Sequence, residues 1–359
     1  MTGAKDRDVE HGQTDTAADA YARAGVDLDA ADRAKLRMRD AIRATHGPQV
    51  LGLPGGFGGL FALGALDVRD PVLVSSIDGV GTKLKLAFAL NRHETIGADL
   101  VAHCINDILV CGARPLFFLD YLALGAMDPE QAVRVVEGVA AGCRAAGCAL
   151  IGGETAAMPG FYAPGEYDLA GCIVGVVARD RLITGERIAA GDVVIGFPSA
   201  GLHTNGYSLA RRVFADADLA ALVPELGRTL GDELLRPHLS YLHAVQPLLD
   251  ADLVTGMAHI TGGGLRDNIP RVVPAPLAVT LDATTWEVLP IFRLLRQRGN
   301  VSWEEMQRVF NLGLGFVVCC RPAHVTRVLA LAGPFGARQV GTVHERGADE
   351  PRVRIEGLA

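Results

Sequence analysis

The chain has 359 residues, 49% of them hydrophobic and 21% charged, with a formal net charge of −7 at pH 7. That balance excludes a disordered polyelectrolyte, and without a long Lys/Arg block it argues against nucleic acid as a partner. At roughly 100–200 residues per domain, the length predicts two domains.

Met1 to Ala20 is polar and acid-containing, with no apolar signal core, and is expected to be a flexible tail over residues 1–20. A helix is predicted from Asp29 to about Thr45, stopped by Gly47-Pro48. The run Gly52 to Gly59 cannot be a helix or a strand interior at acceptable cost and is predicted as a loop. Val72 to Ile77 is predicted as a strand, Asp99 to Cys111 as a helix and Leu116 to Leu122 as a strand. Asp128-Pro129 then opens a helix that Gly147 closes. Cys148 to Ile151 is predicted as a strand running into a Gly-Gly-Glu turn, and Ala170 to Val177 as another strand.

Charged residues and Gly between Arg179 and Asp192 suggest a boundary between a domain over 21–180 and one over 181–359. The second half is expected to hold strands at Val193 to Phe197 and Gly315 to Cys320, and helices near Ser208 to Phe214 and Tyr241 to Leu249. The seven Cys form no Cys-x-x-Cys pair and are read as reduced core thiols. No charge-free apolar stretch reaches the roughly 18–20 residues of a membrane span, so a cytoplasmic protein with no membrane partner is expected.

Three features carry possible chemistry. Asp78-Gly79-Val80-Gly81-Thr82-Lys83 follows a strand and sets a carboxylate and an ammonium around two glycines, which suits either a phosphate cradle or an ordinary turn with solvated charges. It is not a Walker A loop, and no Gly-x-Gly-x-x-Gly fingerprint occurs. On the predicted helix, Asp99, His103, Asn106 and Asp107 share one strip among apolar residues, aimed at a cleft or at solvent. With Glu154 and Asp78, the acids Asp99 and Asp107 would suit Mg²⁺, which prefers oxygen ligands, rather than zinc. Finally, Ser199 to Gly206, with His203, Thr204 and Asn205, and His259 to Gly264, with Thr261, Gly262 and Gly263, read as anion-receiving turns or as caps.

Taken in order, these segments resemble the phosphoribosylformylglycinamidine cyclo-ligase (aminoimidazole ribonucleotide synthetase) family. The likeness runs through Ala24 to Asp27, Gly55 to Gly58, Asp78 to Lys83, Asp99 to Ala102, Asn106-Asp107, Pro115 to Tyr121, Gly152 to Ala156, Tyr167 to Gly171, His203 to Leu209, His259 to Gly264, Asn268 to Arg271 and Phe310-Asn311. It implies a two-domain α/β (α+β) fold whose N-terminal sheet domain dimerises, giving a homodimer. It also implies ATP-dependent closure of formylglycinamidine ribonucleotide to aminoimidazole ribonucleotide, with ATP and Mg²⁺ as cofactors and a ribotide as small-molecule partner. Other ATP enzymes of the superfamily, and a catalytically silent paralogue, are the alternatives.

On this resemblance the ATP site would use Gly56, Gly58, Asp78, Gly79, Gly81, Thr82, Lys83, Asn106 and Gly153. The metal would sit on Asp78, Asp99, Asp107 and Glu154, and the ribotide on Ser199, His203, Thr204, Asn205, Thr261, Gly262 and Gly263. His203 would remove the proton for ring closure, with Lys83 and Asp78 serving phosphoryl transfer. The chain differs from the family pattern at Ala157, where an acid is usual, at His103, at Arg39 and over Pro237 to Tyr241.

Overall fold

The computed structural model describes residues 24–52, 58–64 and 66–358. The expected tail over 1–20 and Gly56 lie outside the described residues.

Helix α1 (Leu28–Arg43) opens where the Asp27 carboxylate accepts the Ala30 N–H at 2.9 Å, satisfying a donor that has no partner within the helix. Strand β1 (Pro71–Gly79) follows, and helix α2 (Ile96–Leu109) leads to strand β2 (Arg114–Leu124). Helix α3 (Pro129–Ala145) starts with Asp128 accepting the N–H groups of Glu130 and Gln131. It connects β2 to β3 (Ala149–Ala157), a parallel pair that requires such a crossover. With β4 (Tyr167–Ala178) the sheet order is β1-β4-β2-β3, and β4 is antiparallel to both its neighbours.

From Pro71 to Asp78, strand β1 alternates between exposed and partly covered residues, because one sheet face lies under α2 and α3. The opposite face is open and apolar, with Ile77 72% exposed and Leu73 55%. Gly152-Gly153-Glu154 is not a turn, as expected, but continues strand β3. A Cβ on Gly153 would lie 2.0 Å from Asp120 Oδ1 on the neighbouring strand, so here glycine marks a close approach across a sheet.

The second half is built on six strands: β5 (Val193–Pro198), β6 (Gly256–His259), β7 (Leu277–Asp282), β8 (Leu314–Cys320), β9 (Arg338–Glu345) and β10 (Val353–Glu356). Their order is β6-β8-β5-β9-β7-β10, with only β7 and β10 parallel. Both faces of its central strands are covered. Ile195, Phe197, Phe316 and Val318 join helix α4 (Leu242–Asp250) and the first half's Leu100, Ile105 and Phe118 in one core. The alternate residues Val194, Val317 and Cys319 pack with Trp286, Phe292 and Phe310 in a second. The two halves are thus joined by continuous apolar packing, which fixes the seam where the polar strip of α2 emerges. Among the described residues no helix is long and apolar enough to cross a membrane.

Candidate active site

Asp99, His103, Asn106 and Asp107 recur on α2 at the spacing of one helical face. That face meets polar groups of the second half rather than open solvent. Asp99 Oδ1 accepts the His238 N–H at 2.7 Å, and Asn106 Oδ1 accepts the Tyr241 N–H at 2.9 Å. His103 Nδ1 lies 2.7 Å from Thr204 Oγ1, and Asp107 Oδ1 lies 2.9 Å from His259 Nδ1.

One end of the strip is sealed. Lys83 and Asp99 are both fully buried, with Nζ 2.6 Å from Oδ2, and Nζ also donates to the Arg236 carbonyl at 2.8 Å. Burial raises the Asp99 carboxyl above its ordinary value despite the attraction of Lys83 and the His238 N–H. This corrects two expectations. Lys83 turns inward from the 3₁₀ turn Gly81–Lys83 instead of facing a phosphate, and Asp99 is its counter-ion instead of a metal ligand. Asn106, expected at ATP, is likewise buried, holding the segment 238–241 through Leu239 O and Tyr241 N.

The other end opens on a cavity of about 640 Å³ at the seam, lined by Ser76, Asp78, His103, Asp107, His259 and Arg271 among others. The volume is that of a small-molecule site. Asp78 stands at the end of β1, where Oδ1 accepts the Gly79 N–H at 2.7 Å and Oδ2 lies 2.8 Å from His103 Nε2. Burial alone would raise its pKa, but the His103 hydrogen bond and charge, with the Gly79 N–H, hold it below the usual carboxylate range. Asp107 behaves alike: burial opposes ionisation, while His259, His103 and the Ser76 hydroxyl at 2.8 Å outweigh it. Burial lowers the His259 pKa although its bond to Asp107 pulls the other way. Two carboxylates therefore stay ionised at the edge of a half-open, partly apolar space.

His203 does not reach this space as a base. It is buried in the left-handed region at φ 61°, its Nε2 accepts the Ala200 N–H at 3.1 Å, and its ring stacks on His238 with centroids 4.2 Å apart. Burial, then the positive charge available around it, push its pKa well down. Ser199 is buried against Asn311 Oδ1 at 2.9 Å, and Thr204 is enclosed between His103 and His238. Asn205 lies against Gly262. Thr261 lines the cavity, and the turn Gly262-Gly263 beside it takes φ 97° at Gly263, a conformation open to glycine. Asn268 fixes that turn by donating to Gly262 O at 3.1 Å and Gly264 O at 2.9 Å. Thr82 is exposed and outside the cavity lining, its hydroxyl 3.2 Å from Ser208 Oγ, and Gly81 stands beside it at φ 65°.

The remaining expected residues lie elsewhere. Register places Asp78, Gly171, Asp120 and Gly153 in one row across the sheet, so Gly153 is three strands, about 14 Å, from Asp78. Glu154 pairs with Tyr121 and projects from the opposite, open face, which corrects its grouping with Asp78 and Asp107 in a single chain. Gly58 is exposed next to Gly59, whose backbone packs on Ile151 of the same edge strand. Sequence reasoning passed over His238, Arg271 and Asn268 as site residues. Only Arg271 carried a usable signal, a cation just after the glycine turn.

This arrangement has known relatives. Residues 63–177 match the N-terminal domain model of AIR synthase related proteins, and residues 189–354 match the C-terminal domain model. The chain belongs to this family. It is 56% identical over 306 residues to a phosphoribosylformylglycinamidine cyclo-ligase of Desulfitobacterium hafniense, covering 85% of this chain and 90% of that one. It is 49% identical over 339 residues to the enzyme of the same name from Nitrosospira multiformis, covering 94% and 96%. Among solved structures, a thiamine-monophosphate kinase from Stenotrophomonas maltophilia superposes with a TM-score of 0.65 at 20% identity, over 89% of this chain and 96% of that one. The hydrogenase maturation protein HypE in complex with ATP gives 0.62 at 18%, over 88% and 89%. At such identities these two structures establish the shared fold of the AIR synthase related family member described here.

Proposed function

We propose that this chain is a phosphoribosylformylglycinamidine cyclo-ligase: it uses ATP to close formylglycinamidine ribonucleotide into aminoimidazole ribonucleotide, releasing ADP and phosphate in purine synthesis. The observation that carries the reading is that Asp78, Asp107 and His259 converge on one seam cavity in a chain 56% identical to a protein of that name.

The formamide oxygen of the substrate is a poor leaving group. Transfer of a phosphoryl group to it makes it a good one, and the amidine nitrogen then attacks the activated carbon. Magnesium fits the site, because Asp78 and Asp107 offer ionised oxygen donors at a cavity edge, and Mg²⁺ commonly takes one or two carboxylates with waters and phosphates. When bound it neutralises charge on the transferring phosphoryl group. Arg271 adds a fixed positive charge on the cavity wall, suited to a ribotide phosphate. His259 holds the Asp107 carboxylate in place through Nδ1 at 2.9 Å, while its other ring nitrogen is turned onto His238 Nε2 at 3.1 Å, so its role is to position Asp107 at the cavity edge. Thr261 borders the same space and, with the turn Gly262-Gly263 that follows it in the chain, is suited to position the ribotide.

The test is direct. Purified chain with formylglycinamidine ribonucleotide, ATP and Mg²⁺ is expected to yield aminoimidazole ribonucleotide and ADP in equal amounts; ADP without aminoimidazole product would defeat the reading. We also place a homodimer contact on the open sheet face, where the large apolar side chains of Leu73, Ile77 and Tyr121 are exposed. Ile77→Glu is expected to convert a dimer to a monomer in light scattering, and an unchanged mass would remove the face from the assembly.

A further inference from the structure

A second cavity lies at the far end of the first half's sheet. Arg114 opens strand β2 six residues before Asp120, and Asp120 shares its row with Asp78, so about 20 Å of strand separates this end from the seam site. The cavity measures about 460 Å³, a volume that suits a small molecule. It joins the loop after α1 to the loop between α3 and β3, and its lining includes Arg114, Arg144, His46, Gln49 and Phe61.

The walls are held by the protein's own bonds. Thr45 Oγ1 accepts the Leu150 N–H at 2.9 Å and donates to Ile42 O at 2.7 Å. His46 Nε2–H donates to Leu150 O at 2.8 Å, so the loop after α1 is tied to the start of β3. Phe61 packs on Phe117 with ring centroids 5.4 Å apart, and with Leu66, Pro115 and Leu116 it gives the cavity an apolar floor.

Charge singles this cavity out. Arg114 also borders a neighbouring cavity, where Asp67, Asp250 and Asp252 stand among the arginines and Arg187 lies 2.9 Å from Asp252. Here, among the described residues, no Asp or Glu lines the wall, although the chain holds 41 acids against 34 lysines and arginines. Helix capping does not account for the guanidinium groups. The last carbonyls of α1 and α3 take N–H groups from their own loops: Ile42 O from Thr45 at 3.0 Å, Arg43 O from His46 at 3.0 Å and Cys143 O from Cys148 at 2.9 Å. Arg144 donates to Ala41 O at 3.3 Å, which leaves most of its planar fork for a partner. A cation in the last turn of α3 complements the helix dipole, but Arg114 belongs to no helix.

We propose that this cavity is a second ligand site and that it takes a nucleoside monophosphate, with the phosphate on Arg114 and Arg144 and the base over Phe61. Two guanidinium groups match a phosphate monoester, which carries a charge of about −1.5 to −2 at neutral pH, and their forks suit its oxygens. Gln49 brings to the same wall a side-chain amide, the group that pairs with the N6 and N7 positions of adenine. Neutral His46 has spent its proton on Leu150 O, and its Nδ1 remains as an acceptor. The inference is independent of the chemistry at the seam, because the two cavities share no lining residue.

The experiment is a calorimetric titration of AMP into the full chain. AMP is expected to bind, and the double variant Arg114→Gln/Arg144→Gln to weaken that binding by at least about tenfold. Both arginines are exposed, so the variant is expected to keep its unfolding midpoint. Asp107→Asn, at the seam, is expected to leave the AMP affinity unchanged. The site would be overturned by an absence of binding up to about 5 mM AMP, by undiminished binding in the double variant, or by loss of binding in Asp107→Asn. Inorganic phosphate that displaces AMP at equal concentration would overturn the ligand class, since the base would then contribute nothing.

Discussion

At one end of α2, Asp99 is sealed against Lys83; eight residues and about 12 Å further along the same strip, Asp107 is a quarter exposed and faces a cavity. The two carboxylates share a residue type, a helix and a helical face. The second half of the chain makes the difference. Its segment from Arg236 to Tyr241 covers Asp99, Lys83 and Asn106, and stops short of Asp78 and Asp107, where β6 ends in His259. A carboxylate covered on all sides needs a permanent cation and serves the fold, whereas one left at a cavity edge can exchange partners and serve chemistry.

The comparison breaks most visibly at Lys83. Lys83→Met leaves Asp99 enclosed without its counter-ion and is expected to lower unfolding free energy by ~3–5 kcal/mol. Urea unfolding measures it, and a loss below ~1 kcal/mol would mean that the sealed end is no structural clamp. At the open end the balance reverses. Asp107→Asn is expected to cut turnover at least about a hundredfold, or ~2.7 kcal/mol, while shifting the unfolding midpoint little. A stability loss as large as that of Lys83→Met would erase the distinction between the two ends.

The smallest effect separates the ends by pH. His203 is held neutral by burial, with the charge of His259, Lys83, His103 and Arg236 adding to the effect, so its folded pKa lies below the unfolded value of about 6.5. The unfolded chain then binds more protons as pH falls below about 6.5, and stability declines from there toward the folded pKa, by up to ~1.4 kcal/mol per pH unit for this one proton. Asp78 and Asp107, whose folded pKa values are depressed, keep their contribution until pH approaches the ordinary carboxylate value of about 3.9. Thermal melts between pH 7.5 and 5.5 are expected to show the histidine slope, and His203→Phe to make it shallower, the buried His238 and His259 keeping the remainder. An unchanged slope in the variant would place the proton uptake elsewhere.

Much of this was legible in the chain. The helical spacing of Asp99, His103, Asn106 and Asp107 located a polar strip, and the pattern Asp128-Pro129 located the start of α3. Strands β5 and β8 were legible as apolar runs. Strands β6, β7, β9 and β10 were not, since β6 and β10 have only four residues each and all four depend on sheet neighbours distant in sequence. The Gly-Gly-Glu segment misled because glycines usually signal a turn, and only the neighbouring strand reveals that Gly153 makes room for Asp120.

By itself the sequence determined which residue types were available and which helical face carried them, because those follow from the period of a helix and from local capping. Tertiary structure alone decided which carboxylate is a counter-ion and which lines a cavity, and it carried Glu154 to the open side of its sheet. The physical reason is that burial, and with it the cost of an unpaired charge, depends on what packs over a residue from far along the chain: nothing within the helix distinguishes Asp99 from Asp107 until His238 and His259 arrive.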